Sequence, residues 1–135
     1  MLAKLNERRN ALNGESGFTL IELLVVLIII GVLLAIAVPS YLGFKDRAQK
    51  AAAASNVRSA IPDAEAYYSD NQTYVGMNLA ALQAIDKGVA SSLGVSGVSA
   101  TGYCLSNTQG SHTAEVHGPG GTVLTDDQVG YVACP

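Results

Sequence analysis

Tryptophan is absent, phenylalanine occurs twice, and lysine and arginine together number eight in 135 residues. Basic residues are scarcest in the distal part, where Lys87 alone follows Arg58 and faces Asp63, Glu65, Asp70, Asp86, Glu115, Asp126 and Asp127. That acidic balance argues against a surface built to neutralise nucleic-acid phosphates, so nucleic acid is not an expected partner. Catalytic signatures are missing as well. No nucleophile sits beside a base in a motif context, and there is neither a metal-ligand cluster nor a phosphate loop. An enzyme is therefore not expected, and neither is a cofactor or a metal. No internal repeat is visible.

Cysteine is limited to Cys104 and Cys134, both distal. A small domain gains from a covalent staple, which points to a disulfide and an oxidising compartment; two buried free thiols are the alternative. In the chain-entropy model, closing that loop contributes about 3 to 4 kcal/mol, less any strain. An oxidising environment around the distal part would leave the first residues in the cytoplasm.

What the chain does have is an apolar run from Phe18 to Val38, interrupted by one charge, Glu22. At about 1.5 Å per helical residue the run spans roughly 30 Å, the hydrocarbon thickness of a bilayer. An ionisable residue at that depth is costly, so it marks a function and needs a partner. Cutting the chain between Gly17 and Phe18 would supply one, because the new α-amino group is a cation a few residues from Glu22. Lys4, Arg8 and Arg9 before the run balance Lys45, Arg47 and Lys50 after it, so charge bias alone does not orient the span.

The segment 1–17 is polar, mixed in charge and closed by Gly-Glu-Ser-Gly, as a processing segment is. From about Phe18 the pattern predicts one long helix, apolar on every face to Val38. Past Pro39, the recurrence of Ala54, Val57, Ile61, Ala64 and Tyr68 predicts a buried stripe on a helical spine, with Lys50, Arg58 and Glu65 off it. Pro39 and Pro62 each remove a helical hydrogen bond and should bend the helix, and Gly31 and Gly43 weaken it further. Leu79, Leu82 and Ile85 predict a short helix ended by Gly88. Strands are expected at 102–106, 113–117, 121–125 and 129–133, with a turn at Gly118-Pro119-Gly120-Gly121.

The fold class is thus α+β. A half-transmembrane helix packs on a small antiparallel head, divided as leader 1–17, span 18–39, spine 40–69 and head 70–135. His112 and His117, five apart, would point to opposite faces of a strand and are expected to be surface residues. Asp126-Asp127 read as turn residues more readily than as calcium ligands, since calcium wants six to eight oxygens. Tyr41, Tyr67, Tyr68, Tyr74, Tyr103 and Tyr131 are expected to pack between helix and head.

The stretch GFTLIELLVVLIIIGVLLAIAVPSY, Gly17 to Tyr41, resembles the N-terminus of type IV pilins and of type II secretion pseudopilins. A long helix followed by a strand-rich head closed by a C-terminal cysteine pair is most similar to the pilins. The resemblance implies that Gly17 is the last leader residue read by a prepilin peptidase. It also implies that Phe18 becomes the N-methylated first residue and that Glu22 registers one subunit against another. Gly31 and Pro39 would bracket a segment that loses helix on assembly. Implied partners are copies of the chain in a helical filament, the peptidase and N-methyltransferase, an inner-membrane assembly platform with its ATPase motors, and minor pilins. The precursor would cross the inner membrane once with its N-terminus in the cytoplasm, and the mature form would lie in an extracellular pilus.

Four other readings compete. One is a major pseudopilin of a secretion machine, and another is a DNA-uptake minor pilin, disfavoured by the acidic head. A passive anchor has no evident use for Glu22. A secretory signal cleaved after Ala35-Ile36-Ala37 would need a much shorter apolar run, roughly 7 to 15 residues.

Overall fold

A computed structural model describes residues 17–135; all of the expected leader except Gly17 lies outside the described residues. Helix α1 runs over Leu20–Asn71, α2 over Leu79–Ile85, and four strands follow: β1 Leu93–Ser96, β2 Tyr103–Gln109, β3 His112–Gly118 and β4 Leu124–Thr125. The chain divides into two compact units at Tyr41 and Leu42.

In the first unit α1 begins at Leu20, two residues later than the apolar run, because Thr19 caps it. Gly31 and Pro39 lie inside the helix and do not end it. Every residue from 17 to 41 is exposed. Nothing in the described chain covers this surface, and by length and composition it is apolar enough to cross a membrane, with a mean hydropathy of 3.2 over its best window.

The second unit is built on the rest of α1. Its buried seam is Ala53, Ala54, Val57, Ala60 and Ala64, spaced by helical turns. The seam lies slightly off the expected stripe: Ala53 and Ala60 are fully buried, whereas Ile61 and Tyr68 sit at its half-buried edge. Alanine suits these positions because the bulk of the core comes from the large side chains facing them, Tyr74, Leu82, Tyr103 and Leu105, and a close-packed interior leaves room only for small partners. Leu105, Val116, Tyr74, Met77 and Leu82 close the core over them. Ala60→Leu is therefore expected to destabilise this unit by about 1–3 kcal/mol through overpacking, measured as a lower midpoint of thermal unfolding. The helix stops because Gln72 takes a left-handed φ of 56° while its N–H still reaches the Tyr68 carbonyl at 2.7 Å, an αL-type ending.

Helix α2 is capped by Asn78, whose Oδ1 accepts the Ala81 N–H at 2.9 Å. It ends at Asp86, two residues before the expected Gly88, with the Asp86 N–H on the Leu82 carbonyl.

The sheet is an antiparallel meander in the order β1-β2-β3-β4. Gln109 pairs with His112 across a two-residue loop, and Gly110 at φ 61° supplies the left-handed first position of a type II′ turn. Strand β1 was not anticipated, the third expected strand contracts to Leu124–Thr125, and 129–133 is not a strand.

Alternation along the strands separates two faces. Tyr103, Leu105 and Asn107 belong to the helix side, where the Tyr103 phenol donates to Glu65 at 2.9 Å and the Asn56 amide to Asn107 at 3.0 Å. Cys104, Glu115 and His117 belong to the other side. There the Cys104–Cys134 disulfide, with Cα atoms 5.7 Å apart, fastens the C-terminal segment.

Candidate functional site

The sequence concentrates its unusual chemistry at the start of α1. Thr19-Leu20-Ile21-Glu22 forms a reciprocal capping box. The Glu22 N–H donates to Thr19 Oγ1 at 3.3 Å, and Glu22 Oε2 accepts the Thr19 N–H at 2.7 Å and its hydroxyl at 2.8 Å. Two N–H groups that a helix N-terminus leaves unpaired are thereby satisfied, and the carboxylate lies where the helix dipole favours negative charge. Glu22 Oε1 has no partner among the described residues, and Phe18, Ile21 and Leu23 around it are all exposed. The result is a fixed anion, half of its bonding capacity unused, set in a wholly apolar surface. Gly17 and Phe18 precede the helix and are exposed. Thr19 was missed as a functional residue, although the T-x-x-E spacing was legible.

In the second unit, ionic groups meet where the helix approaches the sheet. His112 is not the free surface residue expected. Its Nε2 lies 2.6 Å from Asp46 and its Nδ1 3.2 Å from Asp126. Lys50 bridges Asp46 at 3.3 Å and Asp127 at 3.1 Å. A neutral imidazole has one N–H, so two carboxylates on its two nitrogens require the imidazolium. Both oxygens of Asp127 and Oδ1 of Asp126 are engaged by protein donors, with the Thr125 hydroxyl on Asp127 at 2.6 Å, as turn residues are.

This network has a pH window. The hydrogen bond to Asp46 raises the His112 pKa above its ordinary value, about 6.5. A raised folded-state pKa means that the stabilisation is complete below the ordinary value and disappears as pH rises through the folded one. Asp46 is lowered, chiefly by His112, and Asp127, chiefly by the Thr125 hydroxyl; their contribution is lost only as acid protonates them. Thermal unfolding of the wild type should therefore shift to lower temperature as pH rises above about 6.5, and His112→Gln should flatten that dependence. An unchanged slope in the variant would remove His112 from the account.

Of the tyrosines, Tyr74 and Tyr103 are buried and Tyr68, Tyr74 and Tyr103 form a chain with ring centres 4.7 Å apart. Both buried phenols donate to Glu65, Tyr74 at 3.1 Å. Burial and that carboxylate push Tyr74 up to about 12. Tyr41, at 64% exposed, does not pack as expected. Asp63 is a further surprise. It is 8% exposed with Oδ2 unpartnered, and burial followed by the nearby Asp86 charge raises its pKa.

Comparison with known proteins places the capping box inside a match to the family described as "Prokaryotic N-terminal methylation motif", over residues 12–38. The chain is 34% identical over 99 residues to the type IV wide pilus major component PilA4 of Thermus thermophilus, covering 70% of this chain and 73% of that protein. It is 38% identical over 58 residues to the type IV major pilin protein PilA of Myxococcus xanthus, covering 43% of this chain and 26% of that one. With the type II secretion system core protein G of Escherichia coli it shares 38% over 68 residues, 50% of this chain and 47% of that one. The chain thus spans a quarter of the length of the Myxococcus pilin and about half that of the secretion protein.

Proposed function

The chain belongs to the type IV pilin and type II secretion pseudopilin family, and from that premise we propose that it is a structural subunit of an extracellular type IV pilus, used for adhesion, twitching motility or DNA uptake. The observation that carries this reading is the fixed carboxylate of Glu22 on a helical surface that nothing in the described chain covers. Lipid covers such a surface in a membrane-anchored precursor, and neighbouring helices cover it in a filament. A contact that repeats without closing gives an open helical assembly.

In this reading residues 1–17 are the leader, 18–39 the membrane span and filament core, 40–69 the spine, and 70–135 the head. Prepilin peptidase cuts between Gly17 and Phe18, and the Phe18 amine, methylated but still cationic, answers Glu22 of an adjoining subunit. The assembly platform with its ATPases, and minor pilins, are the remaining partners. The inner membrane holds the precursor with its N-terminus in the cytoplasm. Intact-mass measurement of chains from sheared filaments tests the core of the scheme. The expected mass begins at Phe18 with one added methyl group; a chain retaining the first seventeen residues in a working filament would overturn it.

Helix loss on assembly is expected between Gly31 and Pro39, where Pro39 removes a hydrogen bond and Gly31 lowers helix propensity. A filament density map with continuous helix across those residues would contradict this. The similarity to the secretion core protein supports the second reading, a major pseudopilin. The cysteine pair favours the pilus, and calcium-dependent melting of a head insensitive to reduction would reverse that preference.

A further inference from the structure

The sheet face turned away from α1 carries a buried carboxylate that is hydrogen-bonded but joins no ion pair among the described residues. Glu115 is 7% exposed, its Oε2 accepts the Cys134 N–H at 2.7 Å, the Tyr131 phenol donates to the same carboxylate, and none of the ion pairs among the described residues reaches it. A buried carboxylate without a cation is costly. Around it stand soft and nitrogen donors. The sulfurs of Cys104 and Cys134 and a Glu115 carboxylate oxygen all lie within 4.8 Å of one another. His117 is paired with Cys104 across the β2–β3 ladder, and its Nε2 is 3.7 Å from the Cys104 sulfur.

From these positions we propose that, when the disulfide is open, Cys104, Cys134, Glu115 and His117 form a binding site for a zinc-class divalent cation. Tetrahedral zinc with ligands at about 2.0–2.3 Å sets them roughly 3.3–3.8 Å apart, so His117 already stands at that spacing from Cys104. Half-buried Cys134, on the C-terminal segment, must move to bring its sulfur to that spacing from Cys104 and Glu115 once the disulfide is open. His117 Nε2 now donates to the Val132 carbonyl at 2.9 Å; metal binding takes the tautomer with its proton on Nδ1 and releases that bond. The Cys134 N–H orients the Glu115 carboxylate, as outer hydrogen bonds do for metal ligands. Disulfide and metal are then alternative staples for the same segment, the metal serving the chain before oxidation.

The redox step is balanced by a trialkylphosphine. It gives two electrons to the disulfide and takes oxygen from water to become the phosphine oxide, and two protons complete the thiols. Zinc uptake then displaces both thiol protons to buffer. The test uses the full chain in detergent micelles, reduced in this way under anaerobic conditions, with zinc affinity read by competition against a chromogenic chelator. Cobalt substitution reports thiolate coordination through its charge-transfer absorption.

One zinc per reduced chain is expected, bound at least 100-fold more tightly than by the oxidised chain. His117→Ala or Glu115→Gln should weaken it on the order of tenfold or more. A loss in either variant supports the site. Equal affinity in the reduced wild type and in Cys104→Ser/Cys134→Ser overturns it, and so does unchanged affinity in both His117→Ala and Glu115→Gln. The latter two keep the cysteines, so their oxidised forms verify folding independently of the serine variant.

Discussion

Glu22→Ala is expected to leave membrane insertion and leader cleavage intact and to reduce filament yield by at least 100-fold, read as sheared filaments per cell by electron microscopy. Breaking a buried ion pair by removing one partner costs about 3–5 kcal/mol, and each 1.4 kcal/mol is a factor of about ten in an equilibrium constant. Because the same contact recurs at every added subunit, growth fails at the first step and does not merely slow. The capping box complicates this substitution, since alanine also removes the N3 acceptor. A lost cap costs on the order of 1 kcal/mol, too little to account for the loss, but it can be separated outright. Glu22→Gln keeps a side chain that serves at N3 of a capping box and removes only the charge. It should fail to assemble nearly as completely as alanine. Thr19→Val, which removes the cap hydroxyl and keeps Glu22, should assemble with a modest deficit. Wild-type filaments from Glu22→Gln would sink the ion-pair role and leave capping as the reason for the carboxylate.

The parts of this architecture that composition alone controls were readable. The run from Phe18 to Val38 is apolar on every face, and no soluble helix of that kind would be left uncovered, so helix and environment follow together. The helical spine was readable from its periodicity, but its seam was displaced. Large Ile61 and Tyr68 look like better core residues than Ala53 and Ala60, and only the large side chains that distant parts of the chain bring to the same core, Leu82 and Leu105 among them, reverse that preference. Strand β1, with the sequence Leu-Gly-Val-Ser, has too few β-branched residues to signal itself; it exists because β2 offers an edge to pair with.

The opposite error occurred at the C-terminus. Val129-Gly130-Tyr131-Val132-Ala133 has strand-like composition, yet a disulfide and the Glu115–Cys134 hydrogen bond hold that segment without any ladder. His112 could not be assigned from sequence because its partner Asp46 is 66 residues away. Thr19 is different. Its signal is local and complete in the T-x-x-E spacing, which gives Glu22 a role as a helix cap as well as an unpaired charge.

Replacing both cysteines with serine should lower the stability of the second unit by about 2–5 kcal/mol, a fall in unfolding temperature of roughly 10–25 °C for a domain near 100 residues. The disulfide joins residues 30 apart, so opening it returns loop entropy to the unfolded chain. In the folded chain the effect should be local. The core strands β2 and β3 are held to each other along a full seven-residue register and to α1 through buried side chains, none of which depends on Cys134. The segment from Gln128 to Pro135 has far less to hold it. Val129 is fully exposed, and the bonds that fasten its end to the sheet are the Cys134 N–H and the Tyr131 phenol to Glu115 and His117 to the Val132 carbonyl. Hydrogen exchange at neutral pH should therefore show the amides of 128–134 losing protection in the serine variant while those of 103–109 and 112–118 keep theirs. Equal acceleration in both groups would mean that the C-terminal segment is part of the cooperative core instead of a strap fastened across its outer face.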